Sequence, residues 1–82
     1  MNDAIDIYVD WTTQDDTGLP WTFIEEAHDP SLIAIGSYVI AGHGDAVAVA
    51  EVVAIADDGV VHLRQVPGPI SANAHLLHQR AS

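Results

Sequence analysis

Gly36 to Gln65 reads GSYVIAGHGDAVAVAEVVAIADDGVVHLRQ, and this stretch decides the fold. Two turn sequences, Gly42-His43-Gly44-Asp45 and Asp57-Asp58-Gly59, divide it into three segments rich in apolar residues. The alanines between residues 46 and 56 would suit a helix, but the β-branched residues that alternate with them favour a strand. The stretch therefore predicts a three-stranded meander over about residues 36–66.

The two turns predict how these strands pair. A three-residue loop over 57–59 suits a type I turn with glycine in the left-handed position, and we expect a four-residue loop over 42–45. Their apolar residues would share one buried face, because a shift of one residue turns every side chain to the other face. The predicted pairs are Ala56–Val60, Ile55–Val61, Val53–Leu63, Glu51–Gln65, Ala41–Ala46, Ile40–Val47 and Tyr38–Val49.

The segment before the meander predicts one strand and one short helix. Residues 4–11 alternate between apolar and polar side chains, which is typical of a strand with one solvent-exposed face. Thr22 and Glu25 have the spacing of a capping box, and Asp29-Pro30 would end a helix. We therefore expect a short helix near residues 22–28.

The segment after the meander predicts a helical end to the chain. Pro67-Gly68-Pro69 ends the strand ladder, because proline has no N–H to donate, and Ser71 would then cap a short helical segment over 72–80. Together these elements predict a mainly β protein with a single domain over residues 1–82. The expected architecture is a small, partly open, five-stranded barrel. Its hairpin pattern over 36–66 resembles SH3-like barrels and carries no family motif.

Length and composition limit the class of protein. A chain of 82 residues forms one hydrophobic core with a small stability margin. It has no cysteine, and its Met-Asn-Asp start lacks the positive charge of a signal peptide. The apolar run from 46 to 56 contains Glu51 and is well short of the ~20 residues that cross a bilayer. We therefore expect a cytoplasmic protein that does not bind membranes.

The charge is strongly negative and unevenly distributed. The chain has twelve acidic residues, two arginines and no lysine, which gives a formal net charge of -10. Eight of the acids lie in residues 1–30, which contain no lysine or arginine. Because phosphate binding relies on lysine and arginine, this composition argues against direct binding of nucleic acid. The acidity either serves solubility or attracts a basic partner.

The aromatic residues concentrate in the same acidic part of the chain. Tyr8, Trp11 and Trp21 lie there, and tyrosine and tryptophan are favoured residues in protein interfaces. An aromatic ring beside carboxylates suits arginine or lysine, through cation–π contact and ion pairing. We therefore predict a non-catalytic interaction module for a basic protein partner, such as a DNA-mimic or antitoxin-like inhibitor. The predicted partner-binding residues are Tyr8, Asp10, Trp11, Asp15, Asp16, Trp21, Glu25 and Glu26.

One alternative function is a structural homo-oligomer, for example a homodimer. One side of the predicted strand over 46–56 carries almost only small side chains, so another surface must pack closely against it. Either the short helix or a second subunit would do so. The residues of this alanine face are Ala46, Ala48, Ala50, Val52, Ala54 and Ala56.

A second alternative is a small-ligand or metal-assisted enzyme. Glu51 interrupts an otherwise apolar face, where burial would raise the pKa of a carboxylate. His62, His75 and His78 are the histidines that would meet in a metal site. The chain contains neither a nucleophile elbow nor a phosphate-binding loop. We therefore assign no catalytic residue, metal ligand or cofactor from the sequence.

Overall fold

The computed structural model describes residues 5–77, and its strands form one five-stranded sheet in the order β1-β3-β4-β5-β2. The sheet curves into a nearly closed barrel, so the predicted mainly β, five-stranded architecture is confirmed. The elements are β1 (Ile7–Tyr8), β2 (Trp21–Phe23), 3-10 turns at Ile24–Glu26 and Pro30–Leu32, β3 (Tyr38–His43), β4 (Ala46–Ile55), β5 (Val60–Gln65) and α1 (Ile70–Leu77).

The barrel closes between its two edge strands, β1 and β2. Ile7 of β1 forms an isolated antiparallel bridge with Ala27, which follows β2 and its 3-10 turn. Beside this bridge the His28 N–H donates to the Asp6 carbonyl at 2.8 Å. Towards the other end the Trp21 N–H donates to the Thr13 carbonyl at 3.2 Å. The seam between the two edges is therefore held by a few hydrogen bonds and has no continuous strand ladder.

The β4–β5 hairpin confirms the predicted turn and corrects most of the predicted ladder. Ile55 lies opposite Val61, and Gly59 has the expected positive φ of 89°. A β-bulge then interrupts the ladder between Val52 and Ala54. The extra residue in β4 shifts every later pair. The predicted pairs Val53–Leu63 and Glu51–Gln65 are therefore wrong, and the structure has Val52–Leu63 and Glu51–Arg64 instead.

The β3–β4 hairpin has a tighter turn than predicted. His43 pairs with Ala46, so only Gly44 and Asp45 form the turn. Gly44 has a φ of 53°, which suits the first central position of a two-residue hairpin turn. The predicted four-residue loop is wrong, and the ladder is displaced by two residues. The observed pairs include Ala41–Ala48, Ile40–Val49 and Tyr38–Glu51.

The core lies on the side of β4 that carries the alanines. Ala50 and Val52 are fully buried and Ala48 is 3% exposed, so the chain's own core covers this side. The bulge changes the side to which β4 residues point, because it adds one residue to the alternation. The apolar residues that were predicted to share one buried face therefore lie on two different sides of the sheet: Val61 and Leu63 face the core, whereas Val49 faces the helix. The core cluster comprises Ile7, Val9, Ile33, Val39, Ala41, Ala50, Val52, Val61 and Leu63.

The other face of β3 and β4 lies against the C-terminal helix. α1 contacts both strands, and Ile40 and Val49 are buried on this face. Asn73 in α1 donates through Nδ2 to the carbonyls of Pro67 and Pro69, at 2.9 and 3.3 Å. The helical C-terminal segment is thus confirmed, beginning at Ile70, while the part predicted beyond residue 77 lies outside the described residues.

The segment predicted as a helix near 22–28 is mostly not helical. Trp21–Phe23 pairs with β5, and only Ile24–Glu26 forms one 3-10 turn. Phe23 precedes this turn without a side-chain cap, so the predicted capping box of Thr22 and Glu25 is wrong. Pairing with a strand almost forty residues away overrides this local signal.

No helix within residues 5–77 is long and apolar enough to cross a membrane.

Candidate functional site

A shallow groove lies at the barrel seam, where the edges of β1 and β2 diverge. Its volume is about 250 Å³. One wall comes from β1 and the residues after it, the opposite wall from β2 and its 3-10 turn, and the end of β3 contributes one more side chain. The lining residues are Tyr8, Val9, Asp10, Thr22, Glu26 and His43.

The alternation along β1 directs Tyr8 and Asp10 outward into this groove. Ile7 and Val9 are 0% and 3% exposed and belong to the core cluster. Neighbouring residues in an extended chain point to opposite faces, so Tyr8, at 51% exposure, lies on the outer side. The predicted alternation is confirmed over residues 7–10, but the strand itself covers only Ile7–Tyr8 of the predicted residues 4–11. Tyr8 is therefore half exposed two residues before Asp10.

Asp10 is held in its ionised form by its own loop. Its Oδ1 accepts hydrogen bonds from the Thr12 hydroxyl at 2.7 Å and from the Thr12 N–H at 3.0 Å. These bonds lower the pKa of Asp10 below its ordinary value, and a positive charge on His43 acts in the same direction. A carboxylate has about four acceptor sites, so two bonds leave capacity for a ligand.

Glu26 reaches the opposite wall because the 3-10 turn is anchored to the β4–β5 hairpin. The Ile24 N–H donates to the Gly59 carbonyl at 2.7 Å, and the Ala27 N–H closes the turn onto the Ile24 carbonyl at 3.0 Å. Glu26 is exposed. The groove thus carries one acid on each wall and the Tyr8 ring, and its chemistry is suited to a cationic group.

The other predicted partner-binding residues lie outside the groove. Trp11 packs against the core cluster and donates through Nε1 to the Ala46 carbonyl at 2.8 Å. Trp21 forms an edge-to-face contact with Phe23, with ring centroids 5.4 Å apart. Asp16 and Glu25 are exposed but do not line the groove. The structure therefore brings together three of the eight predicted residues: Tyr8, Asp10 and Glu26.

Asp15 is committed to the structure of its own loop. Its Oδ1 accepts from the Thr17 hydroxyl at 2.6 Å, from the Thr17 N–H at 2.8 Å and from the Leu19 N–H at 3.0 Å. Its Oδ2 lies 2.7 Å from Nδ1 of His62. The Thr17 hydroxyl, followed by the two N–H groups and His62, lowers the pKa of Asp15 to about 2. Asp15 therefore organises the loop between β1 and β2.

The groove also contains residues that the sequence did not indicate. Thr22 was interpreted as a helix cap, whereas it is an inward-facing residue of β2 with 8% exposure. His43 was placed in a loop, whereas it ends β3. Val9 was expected only in the core. No signal in the sequence predicts that β1 and β2 become the two edges of one seam.

The residues proposed for an enzyme lie elsewhere. The carboxylate of Glu51 forms an ion pair with Arg64, with Oε1 3.1 Å from Nη2, on the outer side of β4 and β5. Within residues 5–77, no three potential metal ligands lie close enough together to hold an ion. His62 contacts Asp15, and His78 lies outside the described residues. Glu51 does not line the groove.

Comparison with known proteins gives no further guide. No protein-family model matches the chain, and neither a characterised protein nor a solved structure is significantly similar to it. The groove and the charge of the chain are therefore the features that indicate a function.

Proposed function

We propose that this protein is a non-catalytic interaction module that binds a basic segment of a protein partner in the seam groove. The observation that carries the proposal is the groove itself, in which half-exposed Tyr8 and Asp10 line one wall and Glu26 lines the other. An arginine or lysine side chain placed there would meet a carboxylate on either side and an aromatic ring. Each of these contacts favours a cation.

The charge of the whole chain supports the same partner. Eight acids and no lysine or arginine occur in residues 1–30, which supply most of the groove. A concentration of one charge sign accelerates the approach of an opposite charge, and salt reduces this effect. Arg64, the only arginine in the described part of the chain, is already paired with Glu51. It therefore does not neutralise the groove.

The expected strength of each contact is modest. An exposed ion pair contributes about 0.2–1 kcal/mol, and an exposed cation–π contact contributes about 0.5–1 kcal/mol. One basic side chain with two ion pairs and one aromatic contact would therefore gain about 2 kcal/mol. A stable complex needs several such side chains, so a basic segment fits the groove and its acidic surroundings better than a single residue does.

Fluorescence anisotropy with a labelled oligoarginine peptide tests the proposal. The double variant Asp10→Asn with Glu26→Gln removes both groove charges, and asparagine keeps an oxygen for the Thr12 bonds. The double variant Asp57→Asn with Asp58→Asn is the matched control, because both acids are exposed and lie outside the groove, and asparagine keeps an oxygen for the bond from the Val60 N–H to Asp58. We expect the groove variant to weaken binding about tenfold more than the control does.

Salt dependence and Tyr8 provide the second half of this test. Binding should weaken as salt is raised, because the attraction is largely between exposed charges. Tyr8→Ala should weaken it further without changing the slope against salt, since a ring carries no net charge. Equal losses in the two double variants would show that only net charge matters and would refute a specific groove. Absence of binding at low salt would refute the proposal altogether.

A further inference from the structure

Thr22 is a polar residue whose hydroxyl forms no hydrogen bond within residues 5–77. It is 8% exposed, and it lies opposite Val61 in the ladder between β2 and β5. In the described part of the chain, every side-chain oxygen or nitrogen atom that solvent cannot reach has a hydrogen bond. The Thr22 hydroxyl oxygen has no hydrogen bond there, so it is not one of these inaccessible atoms. Solvent must therefore reach it from the groove that Thr22 lines. It is a donor and acceptor placed at the groove floor.

We propose that this hydroxyl makes the groove selective for arginine over lysine side chains. This inference rests on the proposed function and specifies which basic residue is recognised. A guanidinium has five N–H donors in one plane. Such a group can donate to Asp10 and Glu26 on the walls and to the Thr22 oxygen below, while its plane lies against the Tyr8 ring.

A lysine ammonium fits the same groove less well. It has three donors around one nitrogen and is more strongly hydrated than a guanidinium, so placing it at an apolar floor costs more. The floor is apolar around Thr22, because Val9 also lines the groove and the paired Val61 is fully buried. Lysine would therefore stay at the carboxylates near solvent, and its binding would be insensitive to the hydroxyl of Thr22.

The test compares oligoarginine and oligolysine peptides of equal length, by anisotropy at one low salt concentration. Many acidic surfaces prefer arginine, so the decisive quantity is the change in the arginine-to-lysine affinity ratio on Thr22→Val. Valine keeps the shape of threonine and removes the hydroxyl. We expect oligoarginine to bind about tenfold more weakly to this variant, with oligolysine unchanged.

Two further variants separate a ligand contact from a structural effect. Thr22→Ser retains the hydroxyl and should keep the wild-type ratio. Thr13→Val is the matched control, because Thr13 lies outside the groove, and it should also leave the ratio unchanged. Thr22→Val should unfold at the same temperature as the wild type or higher, since it removes a hydroxyl that forms no hydrogen bond within residues 5–77.

The outcomes distinguish this inference from the proposed function. Binding of both peptides with the same ratio in wild type and Thr22→Val would overturn arginine selectivity and leave the proposed function standing. Failure of both peptides to bind the wild type would overturn both. If Thr22→Val does not fold, Thr22→Ala replaces it. If neither variant folds, Thr22→Cys takes their place, because a thiol is only a weak hydrogen-bond donor and acceptor, and the same fall in the arginine-to-lysine affinity ratio is expected.

Discussion

Ala50→Leu tests whether the alanine side of β4 is the core of the barrel. Ala50 is fully buried, and its neighbours on the same side, Ala48 and Val52, are 3% and 0% exposed. Leucine would add an isopropyl group where β3 and β5 already lie on either side of β4. Overpacking of this kind costs about 1–3 kcal/mol, whereas a domain of this length has about 4–12 kcal/mol of stability in total.

The expected change is large enough for a thermal unfolding experiment followed by circular dichroism. One kcal/mol shifts the Tm of a domain of 60–100 residues by about 4–8 °C, so the central cost of about 2 kcal/mol lowers Tm by roughly 8–16 °C. Ala56→Leu is the matched control. Ala56 is exposed and directly follows β4, and substitutions at such sites change stability by less than about 0.5 kcal/mol.

The same pair of variants also addresses self-association through the alanine face. An unchanged Tm for Ala50→Leu would mean that this side of β4 is not packed inside the barrel, and the register described above would be wrong. Light scattering after size exclusion supplies the second measurement. If the wild type is a dimer, and if Ala50→Leu is a monomer with an unchanged Tm, the alanine face lies between subunits.

Two further predictions concern pH and backbone geometry. Asp15→Asn should lower Tm at neutral pH. The folded pKa of Asp15 is about 2 against 3.8 for the free group, so its stabilisation is present above 3.8 and lost towards pH 2. The difference in Tm between wild type and Asp15→Asn should therefore shrink as the pH falls from about 3.8 to about 2. A Tm difference that does not depend on pH would show that the bonds from Thr17 to the Asp15 carboxylate are not its cause. Gly42→Ala should cost about 3 kcal/mol or more, because Gly42 has a φ of 139° and a Cβ would overlap the facing backbone of β4; a Tm within a few degrees of wild type would contradict this geometry.

Part of the groove could be predicted from the sequence. The alternation along β1 indicated that Tyr8 and Asp10 share a face away from the core, and the density of acids suggested a cationic ligand. Thr22 could not be predicted, because its spacing to Glu25 matches a helix cap and the competing β2–β5 pairing is non-local. The same is true of His43, whose position depends on the length of the β3–β4 turn.

The sequence alone determined the mainly β class, the β4–β5 turn with its left-handed glycine and the strong negative charge. These properties follow from local composition, from the period of the apolar residues and from the conformational freedom of glycine. Only the tertiary structure decided the register, because one bulge at Val53 moves the alanine side of β4 into the core. It also decided the groove, which exists because two edge strands from distant parts of the ladder meet without fully pairing. Such pairing depends on how the whole sheet curves, and no short stretch of sequence specifies that curvature.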